Sequence, residues 1–337
     1  GESVAPGERR VVAIPRSLLS NPTPITLPVH VIHGRREGPV LFVSAAIHGD
    51  EVIGVEIARR LVGSAYLRRP RGSLLIVPIT NTYGFINHSR SLPDRRALNR
   101  SFPGSPGGSL AAQLAHVFMT EIVSRADYGI DLHSGGLHRA NLPQIRADLD
   151  DAETRELAAA FGASIVLHSR LRDGSLRQAA QEAGCRMLLY EAGEALRFNE
   201  LGIRIGVKGV LNVLQQLGMI ANKKLRPSRV KPSLSRASHW LRAPAGGILR
   251  AYVGLGESVA AGQLLAVVSD AFGEHEARVE AQAPGIVIGR TNLPVVNQGD
   301  ALFHLATVED HEVSGGRIER LEREIGQDPF FGEEDIV

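Results

Sequence analysis

Apolar positions recur along this chain in two rhythms, and the change between them falls shortly after residue 217. In the first part, short apolar runs alternate with helical stripes. Arg10–Ile14 and Ile25–Ile32 read as strands, as do Val40–Ala46, Ser73–Pro78 and Tyr128–Leu132. Ile165–Leu167 and Met187–Tyr190 complete the strand set. Between them, Val52–Leu61 carries Val52, Val55, Ile57 and Ala58 as one apolar stripe. Ser109–Ser124 places Leu110, Leu114, Val117, Phe118 and Ile122 on one face, with Ser109 as the expected N-cap. Asp151–Phe161, Leu176–Ala183 and Leu201–Leu217 are the remaining predicted helices. Strand–helix alternation of this kind predicts an α/β fold with a mixed, mostly parallel sheet and helices on both faces.

The helical period is absent from Ser238 to Ala306, where glycines and alternating apolar residues take over. Residues 226–234, basic and proline-containing, read as a linker after a unit of residues 1–225. Residues 235–308 hold a weak repeat. Ala243-Pro244 leads to Val259-Ala260-Ala261-Gly262-Gln263-Leu264, and Ala283-Pro284 leads to Val296-Asn297-Gln298-Gly299-Asp300-Ala301-Leu302. Two such copies predict a small all-β barrel-sandwich of interlocked half-sheets. The pattern resembles biotinyl and lipoyl carrier domains, which present a lysine in the central hairpin. Here that hairpin, Ser269–His275, has no lysine, and none follows Lys231, so carrier function is excluded. Residues 309–337 read as an acidic tail containing at most a short helix over Ile318–Ile325.

Composition adds mainly exclusions. Charged residues make up 22% and net charge is only +2, which gives no reason to expect a nucleic-acid or membrane partner. No apolar run has the length of a membrane span, and no signal peptide is visible in the polar start Gly1–Pro6. The single cysteine, Cys185, rules out an intrachain disulfide framework and fits a reducing, cytoplasmic setting. It is expected as a buried, unreactive residue.

Three motifs carry chemistry. His48-Gly49-Asp50-Glu51 follows one predicted strand and Asp131-Leu132-His133 ends another. Alone, His-x-x-Glu is weak, since most such pairs are surface or satisfied core residues. With a second histidine at a strand exit, His48, Glu51 and His133 form a nitrogen–oxygen donor set suited to Zn²⁺ with an open water position. Gly49 is expected to provide the turn between them, and Asp131 to orient a ligand. The second motif is the loop Arg90–Gly104, with its arginines and Asn99; it is either a solvated basic loop or a carboxylate clamp. The third is Glu191, at the exit of Leu188-Leu189-Tyr190, either a general base or a solvent-facing edge glutamate.

The order of these motifs resembles the succinylglutamate desuccinylase/aspartoacylase family, a branch of the zinc carboxypeptidase fold, over residues 40–220. Because family members also carry an appended barrel, the likeness extends to about residue 306. The resemblance implies one Zn²⁺ on His48, Glu51 and His133, with Glu191 as catalytic base. It implies Asn99 and Arg100 as the substrate carboxylate clamp and Arg90 as the group polarising the scissile carbonyl. One departure is Ala97, which stands where the family often has an acid in Gly-Arg-Asp-Leu-Asn-Arg.

The expected activity is deacylation of an N-acyl amino acid or a similar small carboxylate-bearing amide. The rivals are a carboxypeptidase and a non-catalytic binding relative. Arg177 is a further candidate carboxylate contact, and His138, Arg139, Asn141 and Arg146 are candidates for lining the pocket. The ten histidines other than His48 and His133, among them His168 and His304, are read as surface or core residues.

Overall fold

The computed structural model describes residues 2–18, 23–221 and 230–328. Its first strands, β1 (Arg9–Leu18) and β2 (Pro24–His33), are antiparallel neighbours. Next come β3 (Arg36–Ala45), α1 (Ile53–Gly63), β4 (Arg71–Val77) and a short α2 (Thr82–Ile86). The helix α3 (Leu110–Glu121) begins where Ser109 accepts a hydrogen bond from the Ala112 N–H, as an N-cap should. It leads into β5 (Tyr128–Gly135), β6 (Arg139–Ala147) and α4 (Ala152–Phe161). The series closes with β7 (Ile165–His168), α5 (Leu176–Glu182), β8 (Arg186–Glu194) and α6 (Glu200–Gln216).

In the main sheet the order is β1-β2-β4-β3-β5-β8-β6, with β4, β3, β5 and β8 mutually parallel. Alternation along β3 explains the two layers. Leu41, Val43 and Ala45 pack with α1, α4 and α6 on one face, and Phe42 packs with α3 and α5 on the other. Helices therefore cover both faces, as the alternation predicts. Cys185 is buried in the second of these cores, and burial pushes its thiol up to about 12.

The strand β6 has no counterpart in the hydrophobic pattern, because the polar Asn141, Gln144 and Arg146 alternate irregularly with the buried Leu142, Ile145 and Ala147 and Pro143 interrupts it. It is antiparallel to β8 and carries the junction with the second unit.

That unit begins with β9 (Ser233–Ser235), which pairs with β7, so the end of the predicted linker is a sheet edge. Residues 222–229 lie outside the described part. Then follow β10 (Ala237–Arg242), β11 (Gly247–Ala251), β12 (Ser258–Val259) and β13 (Leu264–Ser269). The second half comprises β14 (Glu276–Glu280), β15 (Gly285–Thr291), β16 (Val295–Val296) and β17 (Ala301–Thr307).

The repeat halves interlock: β12 of the first pairs with β15 of the second, and β16 of the second pairs with β11 of the first. The barrel does not stand apart. Through Thr291↔Arg139, Arg290↔Ala140 and Gly289↔Asn141, β15 extends the main sheet from β6. A Cβ at Gly289 would meet the Asn141 Oδ1 at 2.9 Å, so the seam requires glycine there.

The expected acidic tail is corrected over its described residues. α7 (His311–Gly326) spans sixteen residues and docks on α6. Ile318, Leu321 and Ile325 form its buried stripe, and Lys208 reaches Asp328 at 2.7 Å. Gly315 and Gly316 obscure this helix in the sequence, since glycine is a poor helix former. Residues 329–337 lie outside the described part.

Candidate active site

Three parallel strands, β3, β5 and β8, end side by side, and the chemistry-bearing residues emerge there. Open α/β sheets place ligands at such strand exits. After β3, Ala46 takes a left-handed φ of 48°, and His48 and Glu51 follow on the turn into α1. Gly49 serves this turn differently from expectation. Its φ is not left-handed; instead a Cβ there would stand 2.0 Å from the Gly84 carbonyl carbon. On β5, Asp131 and His133 are two apart and so share a face.

The predicted donors converge. His48 Nδ1 lies 2.9 Å from Glu51 Oε1, and His133 Nδ1 lies 2.8 Å from Glu51 Oε2. One ligand atom from each residue falls within 4.8 Å of the others, and all three are buried. The far nitrogen of His133, Nε2, is 2.7 Å from Asp131 Oδ2, and Ser44 Oγ donates to Asp131 Oδ1 at 2.7 Å. An Nε2–H held by Asp131 leaves the Nδ1 lone pair free for a cation bound beside Glu51. Burial alone would raise the Glu51 pKa, but the His48 and His133 charges hold it well below the usual carboxylate range. For His133, burial pulls downward, and the Asp131 and Glu51 carboxylates outweigh it and hold the imidazole well above its ordinary value. Two nitrogens and an ionised carboxylate, dry and oriented by partners behind them, fit a divalent cation such as zinc.

Glu191 stands opposite His133 in the parallel β5–β8 ladder. It is buried, not edge-exposed. Asn141 Nδ2 donates to its Oε2 at 2.7 Å, and Arg146 lies 3.4 Å from its Oε1. Arg90 donates to Glu51 Oε1 at 2.7 Å from a half-exposed position, which puts its guanidinium at the edge of the donor set.

The clamp residues prove more structural than expected. Asn99 Oδ1 accepts from the Leu176 N–H at the start of α5 at 2.9 Å, leaving only its amide N–H groups for a ligand. Arg100 donates to the Asn99 carbonyl and faces the cleft. Arg177 is buried and donates to the Arg170 carbonyl at 2.7 Å and to Ser169 Oγ at 3.1 Å, so it holds the loop before α5. Its Nη1 has no partner among the described residues.

All of these line one cleft of about 750 Å³. Arg139, Asn141 and Arg146 line it too, whereas His138 faces an adjoining groove. One reading changes: His168 and His304, read as surface or core residues, line the cleft. The barrel supplies one wall of it through Arg236, Ser238, Trp240 and Arg242. A second trio, Asp148, Asp150 and His168, also has ligand atoms within reach of one another, but exposed Asp150 is engaged by Arg236 at 2.9 Å.

Residues 37–217 match the model of the succinylglutamate desuccinylase/aspartoacylase catalytic domain. The chain belongs to this family. It is accordingly an amide-bond hydrolase. It is 30% identical over 296 residues to the N-alpha-acetyl-L-2,4-diaminobutyric acid deacetylase of Halomonas elongata, covering 84% of this chain and 86% of that protein. Among solved structures, it is similar to the product-bound ectoine utilization protein EutE (DoeB) of Ruegeria pomeroyi. That match has 26% identity and a TM-score of 0.80, over 89% of this chain and 95% of that one. A succinylglutamate desuccinylase/aspartoacylase from Rhodobacter sphaeroides matches at 25% identity and TM-score 0.81, over 90% and 96% of the two chains. The family fold extends through the barrel in these structures. Among the described residues, no helix is long and apolar enough to cross a membrane.

Proposed function

We propose that this hydrolase is a zinc-dependent deacylase of N-acyl amino acids, working in the cytoplasm. The observation that carries the reading is the β5–β8 register, which sets Glu191 directly across from His133. A carboxylate is thereby held beside the metal donors and is itself bound by Asn141. In this reading residues 1–225 are the catalytic unit, and residues 235–308 form a barrel that walls the cleft without carrying a prosthetic group.

His48, Glu51 and His133 would hold the metal. Bound zinc acidifies water and polarises the amide carbonyl. Glu191 takes the proton from the attacking water and delivers it to the departing amine nitrogen. Arg90, beside Glu51, meets the negative charge that grows on the carbonyl oxygen. Arg100, with the free amide N–H groups of Asn99, fixes the substrate carboxylate so that the scissile bond is presented to Glu191. Arg177 supports this end of the cleft by holding residues 169–170. Enclosure by the barrel favours a small amide over a peptide chain.

The test pairs two measurements on the purified chain: zinc by elemental analysis, and amine release from a panel of N-acyl amino acids and short peptides. One zinc per chain with release from acyl amino acids is the expected result. Release from peptides alone would convert the reading to a carboxypeptidase.

A further inference from the structure

The catalytic cleft is continued by a second groove. This groove, of about 420 Å³, adjoins the cleft at Arg90 and Arg139, which line both. Three large apolar side chains stand around it with much of their surface in solvent: Leu137 is 54% exposed, Leu293 42% and Val295 69%. Buried Val296 lies beneath them in the same lining. Single exposed apolar residues are ordinary on a protein surface, but several gathered in one concavity mark apolar area that a ligand covers. The acid of the groove, Asp300, is already engaged, since its Oδ2 accepts from the Asn297 N–H at 2.8 Å.

The walls of the groove are braced against each other. Residues 136–138 join β5 to β6, and there His138 takes a left-handed φ of 62°, which is costly for a residue with a Cβ. Its N–H donates to Glu194 Oε1 at 3.0 Å, and its carbonyl accepts from the Asn292 N–H at 2.7 Å. Asn292 Nδ2 in turn donates to Glu194 Oε2 at 2.8 Å. One carboxylate at the end of β8 thus ties the turn that carries Leu137 to the barrel loop that carries Leu293. A groove with walls fixed in advance loses little freedom when it is filled.

The parts of the site give the groove its direction. In the deacylase reading the amino-acid half of the substrate is held by its carboxylate at Asn99 and Arg100, and neither residue lines the groove. Arg90 meets the scissile carbonyl oxygen, and the groove opens beside Arg90. The portion of the substrate left on this side, away from the clamp, is the acyl chain. We infer that the groove is an acyl-chain subsite, walled by Leu137 of the β5–β6 turn and by Leu293, Val295 and Val296 of the barrel, which takes an unbranched apolar acyl group longer than acetyl. The inference rests on the deacylase reading and narrows its substrate class to amides of medium-chain fatty acids with amino acids. Leu137 and Leu293 are specificity-determining residues that touch the chain and take no part in the proton transfers. Glu194 is a positioning residue, acting through His138 and Asn292.

The experiment measures kcat and KM for the N-acetyl, N-butyryl, N-hexanoyl and N-octanoyl forms of glutamine. With wild type, kcat/KM should rise about threefold to fourfold per buried methylene, on the order of a hundredfold from acetyl to hexanoyl. The gain should come through KM more than through kcat, as expected for a contact made equally before and during the reaction. The hexanoyl-to-acetyl ratio should collapse in Leu137→Asp and in Leu293→Asp, each at a solvent-facing position. Phe272→Ser, at the exposed β13–β14 hairpin outside the groove, should leave that ratio as it is in wild type. A ratio that is flat or falls with chain length, or one that survives both aspartate variants, would overturn the subsite. If no acyl amino acid is hydrolysed, the deacylase reading fails separately. Calorimetric binding of hexanoate against acetate then still decides the groove: tighter hexanoate binding, weakened by Leu137→Asp, supports it, and equal affinity removes it.

Discussion

Replacing His133 by alanine should abolish stoichiometric metal. Its Nδ1 is one of the three proposed donor atoms, and its Nε2 is held by Asp131. Elemental analysis checks this, and full retention of zinc by the variant would sink the triad. Glu191→Gln should behave in the opposite way, keeping the metal and losing at least about 10²-fold in kcat, the usual scale for removing a general base. Near-normal turnover would move the base elsewhere, with Glu194 the next carboxylate along β8. At this scale the sequence was readable where strand exits carry ligand-type residues, as at His48, Glu51, His133 and Glu191. It was unreadable where a side chain has two uses. Asn99 and Arg177 look like pure clamp residues until their bonds to Leu176 N–H and to residues 169–170 are seen. Trp240 and His304 reach the cleft only through the placement of the barrel, which no local pattern encodes.

Among the elements, α1 and α6 are pinned at one end by a charged network. Arg60 bonds both oxygens of Glu200 at 2.8–2.9 Å and also reaches Glu56, while Arg204 bonds Glu200 at 2.8 Å. The Arg60 hydrogen bond, working against burial, pushes Glu200 down to about 2. A depressed carboxylate stabilises the fold above its unfolded value and loses that contribution as pH falls through its folded value. Glu200→Gln should therefore lower Tm at neutral pH, and the gap to wild type should close between about pH 5 and pH 2. Glu200 is half-exposed, so solvent screening keeps the effect within about 1 kcal/mol. A Tm difference that does not change with pH would remove the network from this role. Helices with clean apolar stripes, such as α3 and α4, were legible almost to the residue. The strand β6 was not, since Asn141, Gln144 and Arg146 serve the site and the seam and break up the apolar positions Leu142, Ile145 and Ala147 that enter the cores. The helix α7 was half-legible, its stripe at Ile318, Leu321 and Ile325 broken by glycines one turn earlier.

Over the whole molecule, catalytic sheet and barrel share backbone hydrogen bonds at residues 139–141, and α7 closes back onto α6. Calorimetry should show one cooperative unfolding transition, since neither unit can open without breaking the other's ladder. Two resolved transitions would mean that the seam contributes little. Gly289→Val should lower kcat as well as Tm, because the new Cβ would press on Asn141, which holds Glu191. If kcat is normal while Tm drops, the seam supports the fold alone. The division into a sheet unit and a barrel could be read from the change of rhythm along the chain. Their fusion could not, because the pairing partner of β15 lies about 150 residues earlier and only three residue pairs join β15 to β6.

That seam also bears on how such proteins can be recombined. A barrel borrowed from a relative would arrive with its own strand to lay against Arg139–Asn141, and with its own aromatic and cationic face for the cleft. The smallest exchangeable part is therefore the barrel together with β6, cut in the turns at residues 136–138 and 148–150. Chimeras joined at the basic stretch before residue 230 would separate partners that have to match. Hybrids that carry β6 along with the barrel should inherit the donor's substrate preference while keeping the recipient's metal donors, because those come from β3 and β5.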